Sequence, residues 1–557
     1  MTVAIGEDEG RVNGRGRHVR VLTLACCAVG VLTLAGCGGR SRLVRDDGIL
    51  RGTTAAFPDY LDPALSLTIE GSSAMWNTYV PLLTYRHASG RRGTELNPGL
   101  ARSMPRVGDG GRTYTLFLRK GLRYSDGEAV LASDFRHSVE RLLVMNSGGS
   151  PLFKDIVGAE RFARTKKGGI AGISTDDASG RIVIHLREPS GTFLYALATL
   201  YAAPLPADTP EEDLSANPPP ATGPYEIAAS RPGSSWEYRR NPYWFRTDGR
   251  LMPQLPAGHF ARIEMHVLSN PETEVSQVEN GEADWMVSPP PADRLAELRR
   301  RFGGTRLVLS TEINEFYFWM NTTLAPFDDV RVRRAVDYAI DPAALDRIYG
   351  GTLAPLQQVL PAAMPGHRTI HPYPHDMAKA KALIAAADPV ERDVTVWTDS
   401  YPANLQAGEY YEGVLRELGF HPTLKVLSDT NYFTVIGDQT TPDLDTGWGN
   451  WLLEYPQPNS FFEPQLTRAG IRATNTTNWA RFVDPDLEAE LARLRREPLG
   501  PSQEAVYAEL DRRAMERAPW APFGTLRFAT FLSARIDPRR FLVSPVYGQD
   551  LTSFALR

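Results

Sequence analysis

Hydrophobic positions along this chain follow two periods. Residues 114–119 alternate as Tyr-Thr-Leu-Phe-Leu-Arg, and residues 181–186 as Arg-Ile-Val-Ile-His-Leu, the period-two pattern of half-buried strands. Lys120-Gly121 turns the first of these into a second short strand at 122–124, and Ser125-Asp126-Gly127 supplies the next turn. Ser133 stands where a helix N-cap is expected, with Phe135, Val139, Leu142 and Leu143 forming an apolar stripe behind it. Residues 204–224 carry seven prolines and cannot form helix or central strand, because proline lacks the N–H and fixes φ. This segment reads as a crossing between two structural units. Beyond it, residues 225–227, 235–238 and 263–267 predict strands, and 272–280 predicts a helix stopped by Gly281.

From residue 316 the pattern changes. Strand segments at 316–320, 394–397 and 423–427 are interleaved with helices. Asp328 is expected to cap a helix whose inner face is Val332, Val336, Ala339 and Ile340. Asp341-Pro342 places aspartate at N-cap and proline at N1 of the next helix, and Asp376 caps one carrying Ala380, Leu383 and Ile384. A helix at 410–418 ends at Gly419, and two more run over 487–494 and 504–515. Such β-α-β alternation points to an open α/β sheet. Residues 523–531 return to strand character.

Composition narrows the class. At 557 residues, 42% hydrophobic and 10% aromatic, the chain can bury several cores. A net charge of −5 argues against a nucleic-acid partner. The apolar run at 21–34 follows Arg11, Arg15, Arg17 and Arg20 and ends in Leu34-Ala35-Gly36-Cys37. That is a secretory signal whose end resembles a bacterial lipobox. The resemblance implies that residues 1–36 are removed and that Cys37 receives a diacylglyceryl anchor. Two acyl chains hold a protein on a membrane where one does so only marginally. The cysteines are Cys26, Cys27 and Cys37, so residues 38–557 can form no disulfide, zinc-thiolate site or cysteine nucleophile.

Short motifs then recur in a fixed order. They include Tyr79-Val80-Pro81-Leu82-Leu83-Thr84-Tyr85, Leu96-Asn97-Pro98-Gly99-Leu100-Ala101 and the 117–142 segment with Asp126-Gly127 and Ala132-Ser133-Asp134-Phe135. Thr222-Gly223-Pro224-Tyr225, Arg240-Asn241-Pro242-Tyr243-Trp244, Gly281-Glu282-Ala283-Asp284, residues 321–340, residues 454–461 and Ala518-Pro519-Trp520 follow. In this order they resemble the family 5 extracellular solute-binding proteins, the peptide- and nickel-binding components of ABC importers. The resemblance implies a two-lobed α/β fold of the periplasmic-binding-protein kind, with hinge strands and an extra α+β domain inserted in lobe one. Mapped on this chain, lobe one is 37–75, 204–315 and 522–557, the inserted domain is 76–203, and lobe two is 316–521. Hinge strands are expected near 316–320 and 519–524.

It also implies a lipid-anchored, non-enzymatic receptor on the extracytoplasmic face, monomeric, delivering an oligopeptide or dipeptide to permease subunits. No cofactor or metal is called for. Glu454, in Trp451-Leu452-Leu453-Glu454-Tyr455, matches the family segment whose aspartate pairs with a peptide ammonium; here glutamate adds a methylene. Trp448 and Trp451 are candidates for stacking on ligand or for core packing, and Asn321 and Tyr317 for the cleft or for hinge hydrogen bonding. The polar loop 66–73 is placed to border the cleft. His367, His371 and His375 are spaced like metal ligands on a helix, but Pro372 and Pro374 forbid that helix. Gly-x-Ser-x-Gly and His-Glu-x-x-His are absent from the sequence. Nickel chelates, oligosaccharides and haem remain alternative ligands, and a secreted hydrolase the alternative class.

Overall fold

A computed structural model describes residues 47–66 and 68–557. Cys37 and the signal segment lie outside the described residues. Among the described residues, no helix is long and apolar enough to cross a membrane.

Three sheets organise the body. The first has five strands in the spatial order Trp285–Met286, Ile49–Thr54, Arg262–Val267, Ser235–Arg240, Tyr225–Arg231. Ile49–Thr54 is parallel to both its neighbours, and the remaining pairs are antiparallel. Its packing is tight enough to demand glycine at one point: a Cβ at Gly52 would come within 2.5 Å of the Trp285 ring and 2.7 Å of Met265 sulfur. Helix Pro271–Asn280 lies alongside, opened by Asn270 accepting from the Glu272 N–H and closed by Gly281 at φ +74°.

Between the first and second strands of this sheet in chain order comes a separate four-stranded antiparallel sheet, Arg106–Gly108, Thr113–Phe117, Arg181–His185, Ile173–Asp176. Helix Ala132–Val144 packs on it. Its N-cap is Leu131, not Ser133. Asp134 folds back to accept the Leu131 N–H at 2.8 Å, and Ser133 spends its N–H and hydroxyl on Asp177. Residues 122–124 are not a strand either. Gly127 reverses the chain at once, leaving one bridge between Arg123 and Ala129. From the same helix, Arg141 reaches out with a fully buried guanidinium. It donates to both Asp62 oxygens at 2.9 and 2.6 Å and to the carbonyls of Pro210 and Glu212 at 2.6 Å. This bidentate pair staples the proline-rich crossing to the body.

The third sheet is the largest, in the order Leu307–Thr311, Trp520–Phe531, Asn314–Met320, Thr446–Leu452, Asp393–Asp399, His421–Leu427, with Leu353–Ala354 added beside Trp520–Phe531. The helix after Asn314–Met320 is capped by Asp329, one residue past the expected Asp328, through the Arg331 N–H at 2.7 Å. Asp341 and Asp376 cap their helices as expected. The core of this sheet is separate from that of the first.

The twelve-residue strand Trp520–Phe531 positions the site. Its first half pairs with Asn314–Met320, from Trp319↔Trp520 to Phe316↔Gly524. Its second half pairs with Leu307–Thr311, and the next residue, Leu532, bridges to Trp285 of the first sheet. One strand and the 307–320 segment beside it therefore run from one lobe to the other. Glu315 is fully buried there and accepts from Trp520 Nε1 at 2.6 Å, and burial pushes its carboxyl pKa well up.

Candidate functional site

At the end of these strands, the first lobe holds a cavity of about 420 Å³. Its floor is the chain leaving Ile49–Thr54, including Phe57, fixed where Ser288 Oγ accepts the Ala55 N–H at 2.8 Å. One wall is the start of helix Ile69–Met75, capped by Thr68 through the Gly71 N–H, which brings Glu70 and Ser73 to the cavity. The opposite wall is hinge material, Glu312 and Phe528. Gln549 closes the back and is itself held by Trp285 Nε1 at 2.8 Å and Thr530 Oγ1 at 3.1 Å. Burial, and secondarily the Glu70 charge, raises the Glu312 pKa to about 7, opposed by the Asn314 amide donating to Oε2 at 3.1 Å. Burial likewise raises Glu274, which packs by Thr53 and Ser288, to about 7.

The five site residues expected from the sequence lie elsewhere, on the large sheet. Tyr317 is 1% exposed and stacks between Trp520 and Trp479, at 4.8 and 6.1 Å between ring centroids. Trp448 is 3% exposed and donates to the Tyr349 hydroxyl at 3.0 Å. Asn321 donates to the Leu444 carbonyl at 2.9 Å and accepts the Thr323 N–H and hydroxyl at 3.1 and 2.7 Å, so it fixes the turn after the hinge strand. Trp451 is half-buried, donates to the Ser460 carbonyl at 2.8 Å and meets Trp479 at 6.5 Å. Trp479 thus gathers Tyr317 and Trp451 into one aromatic cluster.

Glu454 follows the strand Thr446–Leu452. Its side chain is open to solvent yet walled by protein. Partial desolvation raises its pKa, Arg472 pulls it down and Glu463 pushes it up. None of the five residues lines the first-lobe cavity. The second lobe nevertheless touches the inserted domain beside Glu454. Tyr455 meets Tyr195 at 5.9 Å, Gly191 N–H donates to the Arg495 carbonyl at 2.8 Å, and Arg91 pairs with Glu504.

The segment 66–73, expected as a polar loop, is helical from Ile69 onward, and it lines the cavity through Thr68, Glu70 and Ser73. Glu312 and Phe528 carry no sequence signal beyond their nearness to the hinge strands. His367, His371 and His375 line a different cavity of about 380 Å³ on the second lobe. His367 is engaged with the Leu360 carbonyl at 2.7 Å, and burial lowers its pKa. Among the described residues, no three His, Cys, Asp or Glu side chains are grouped to hold a metal ion.

Two lobes joined by crossing strands, with a cavity where the strands enter one lobe, define a solute-binding protein of the α/β periplasmic type. Residues 95–472 match the model of the bacterial extracellular solute-binding proteins, family 5 middle, and the chain belongs to that family. It is 26% identical to heme-binding protein A of Haemophilus influenzae, over 89% of this chain and 90% of that one. It is 23% identical to a probable di/tripeptide-binding protein 5 of Pseudomonas aeruginosa, over 81% and 85%. Among solved structures, the clavulanic acid biosynthesis oligopeptide binding protein 2 superposes with a TM-score of 0.80 at 24% identity, covering 91% of this chain and 95% of that one.

Proposed function

We propose that this chain is a lipid-anchored extracytoplasmic receptor that holds a peptide-like solute between its lobes and delivers it to an ABC permease. The observation that carries the reading is the first-lobe cavity. Its volume of about 420 Å³ and largely apolar lining with a few polar groups suit a ligand of a few residues. The relatives named for di/tripeptide and oligopeptide binding point the same way. Cys37 carries the anchor. Glu454 faces the cavity's occupant from the second lobe and pairs with its ammonium, and Trp451 walls the adjoining space. Tyr317, Trp448 and Asn321 support that wall from behind. Ligand biases the hinge toward closure by binding the closed form better.

Haem is the second reading, favoured by the similarity to heme-binding protein A. The cavity opposes it: haem propionates are anionic, and among the described residues the lining offers carboxylates and no Lys, Arg or His. Mass spectrometry of solute released from natively purified full-length protein separates the two. A peptide-like mass is expected. Haem, or a solute without amide bonds, would overturn the peptide reading.

A further inference from the structure

The cavity's charge is one-sided. Asp59, Glu70 and Glu312 line it, and among the described residues no basic side chain does. Asp59 is engaged by its own loop, accepting from Ser66 Oγ at 2.9 Å and from the Thr68 hydroxyl at 2.8 Å. Glu70 and Glu312 have a different arrangement. They come from separate elements, the first-lobe helix and the link between two hinge strands, and they interact as like charges. Phe57, Val287 and Phe528 line the same cavity. Two carboxylates sharing one apolar-walled cavity repel, and a cation bound by both turns that repulsion into attraction. The apolar walls match the methylene stem of a long basic side chain, which keeps its charge at the tip.

We infer that this cavity receives a positively charged group of the solute, an amine or guanidinium on an aliphatic stem, held by Glu70 and Glu312 as specificity-determining residues. The inference rests on the reading of the chain as a solute receptor and adds the charge class of the solute. The charged and polar groups around Glu312 are Glu70, which acts on it as a like charge, Asp59 elsewhere in the same lining, and the Asn314 amide at the start of the following strand. With a pKa near 7, Glu312 is fully charged only above neutrality, so selection for the cation should weaken as pH falls below 7.

The test is calorimetry on the full-length chain in detergent with Ala-Lys-Ala and Ala-Met-Ala, which differ only in the central side chain, an ammonium-tipped stem against a neutral thioether of similar length. The lysine peptide should bind about tenfold or more tightly at pH 8. Glu70→Gln and Glu312→Gln should each shrink that preference while leaving Ala-Met-Ala binding within about twofold. Equal binding of the two peptides by the wild type, or a preference surviving both substitutions, would overturn the cation assignment and leave the peptide reading standing. If neither peptide binds, the peptide reading fails and cadaverine against 1,5-pentanediol decides. Thermal stabilisation by the diamine alone, abolished in the doubly substituted protein, supports the cation site. Equal shifts by the two compounds refute it.

Discussion

The two faces that meet at the cleft are built in opposite ways. On the second lobe, the strands Asn314–Met320 and Thr446–Leu452 present aromatic rings stacked and tilted against their neighbours, with each indole N–H of Trp319, Trp448 and Trp451 already donated to a protein acceptor. On the first lobe, loops and a seven-residue helix surround open space, and the carboxylates of Glu70 and Glu312 face it. A wall whose rings are packed on one another, with these three indole donors satisfied and the Trp479 N–H buried without a partner, serves as a rigid platform. A cavity with acidic groups over apolar surface still has interactions to make. The residues that look most like ligand contacts in the sequence, the tryptophans, largely hold the platform. The groups with unused capacity are Glu70 and Glu312 on one side and Glu454 on the other.

Substitutions should separate the faces. The largest effect is expected from Trp448→Ala, which empties a fully packed position and should cost about 3–5 kcal/mol of stability in thermal or denaturant unfolding. Loss of ligand affinity with unchanged stability would instead place Trp448 on the ligand. Next comes Glu454→Gln. If Glu454 pairs with a peptide ammonium, removing its charge should cost about 2–5 kcal/mol of binding, and N-acetylating the peptide should cost a similar amount. The two losses should not add, because they delete the same contact. Additive losses in the four-way calorimetric cycle would remove Glu454 from the site.

A smaller effect concerns Glu312 in the ligand-free protein. Its folded pKa of about 7 lies above the ordinary 4.5, so the folded state holds this proton more tightly than the unfolded chain does. The associated stability is present below about pH 4.5 and is lost as pH rises through 7. Glu312→Gln should therefore stabilise the free protein at pH 8, by about 1–2 kcal/mol after allowing for its partial solvent exposure, with the gain vanishing toward pH 4.5. Melts at pH 8 and pH 5 read the difference, and an equal shift at both would contradict the assigned titration. Finally, Cys37→Ser should move the protein from membranes to the soluble fraction with no change in melting temperature. Unaltered membrane association would end the lipobox reading.

Much of this architecture is written locally. Asn270-Pro271 and Gly281 delimit a helix by backbone chemistry alone, and the same holds for Asp341-Pro342. Where neighbouring residues compete, local reading slips. Asp328 and Asp329 are both competent caps, and Asp329 wins through the Arg331 N–H. Ser133 has cap chemistry, but Asp177 from a distant turn claims it. The site is less legible still. The lipobox and the polar loop carry recognisable patterns. Glu312 is one charge between two strands, and its meaning depends on Glu70, which lies 242 positions earlier in the chain. Only the fold places the two across a cavity. Trp448 resembles a ligand residue because aromatic side chains serve cores and clefts alike.

The central claim is that both faces close on one solute. Residues 38–557 contain no cysteine, so single labels can be introduced cleanly. Spin labels at exposed Arg239 on the first lobe and Val390 on the second report the distance between lobes by double electron–electron resonance. Saturating peptide bound by the full-length protein should shift the distribution to a shorter, narrower distance, and Glu454→Gln should weaken that shift at a given peptide concentration. An unchanged distribution with peptide demonstrably bound would contradict closure of the two faces on a common ligand.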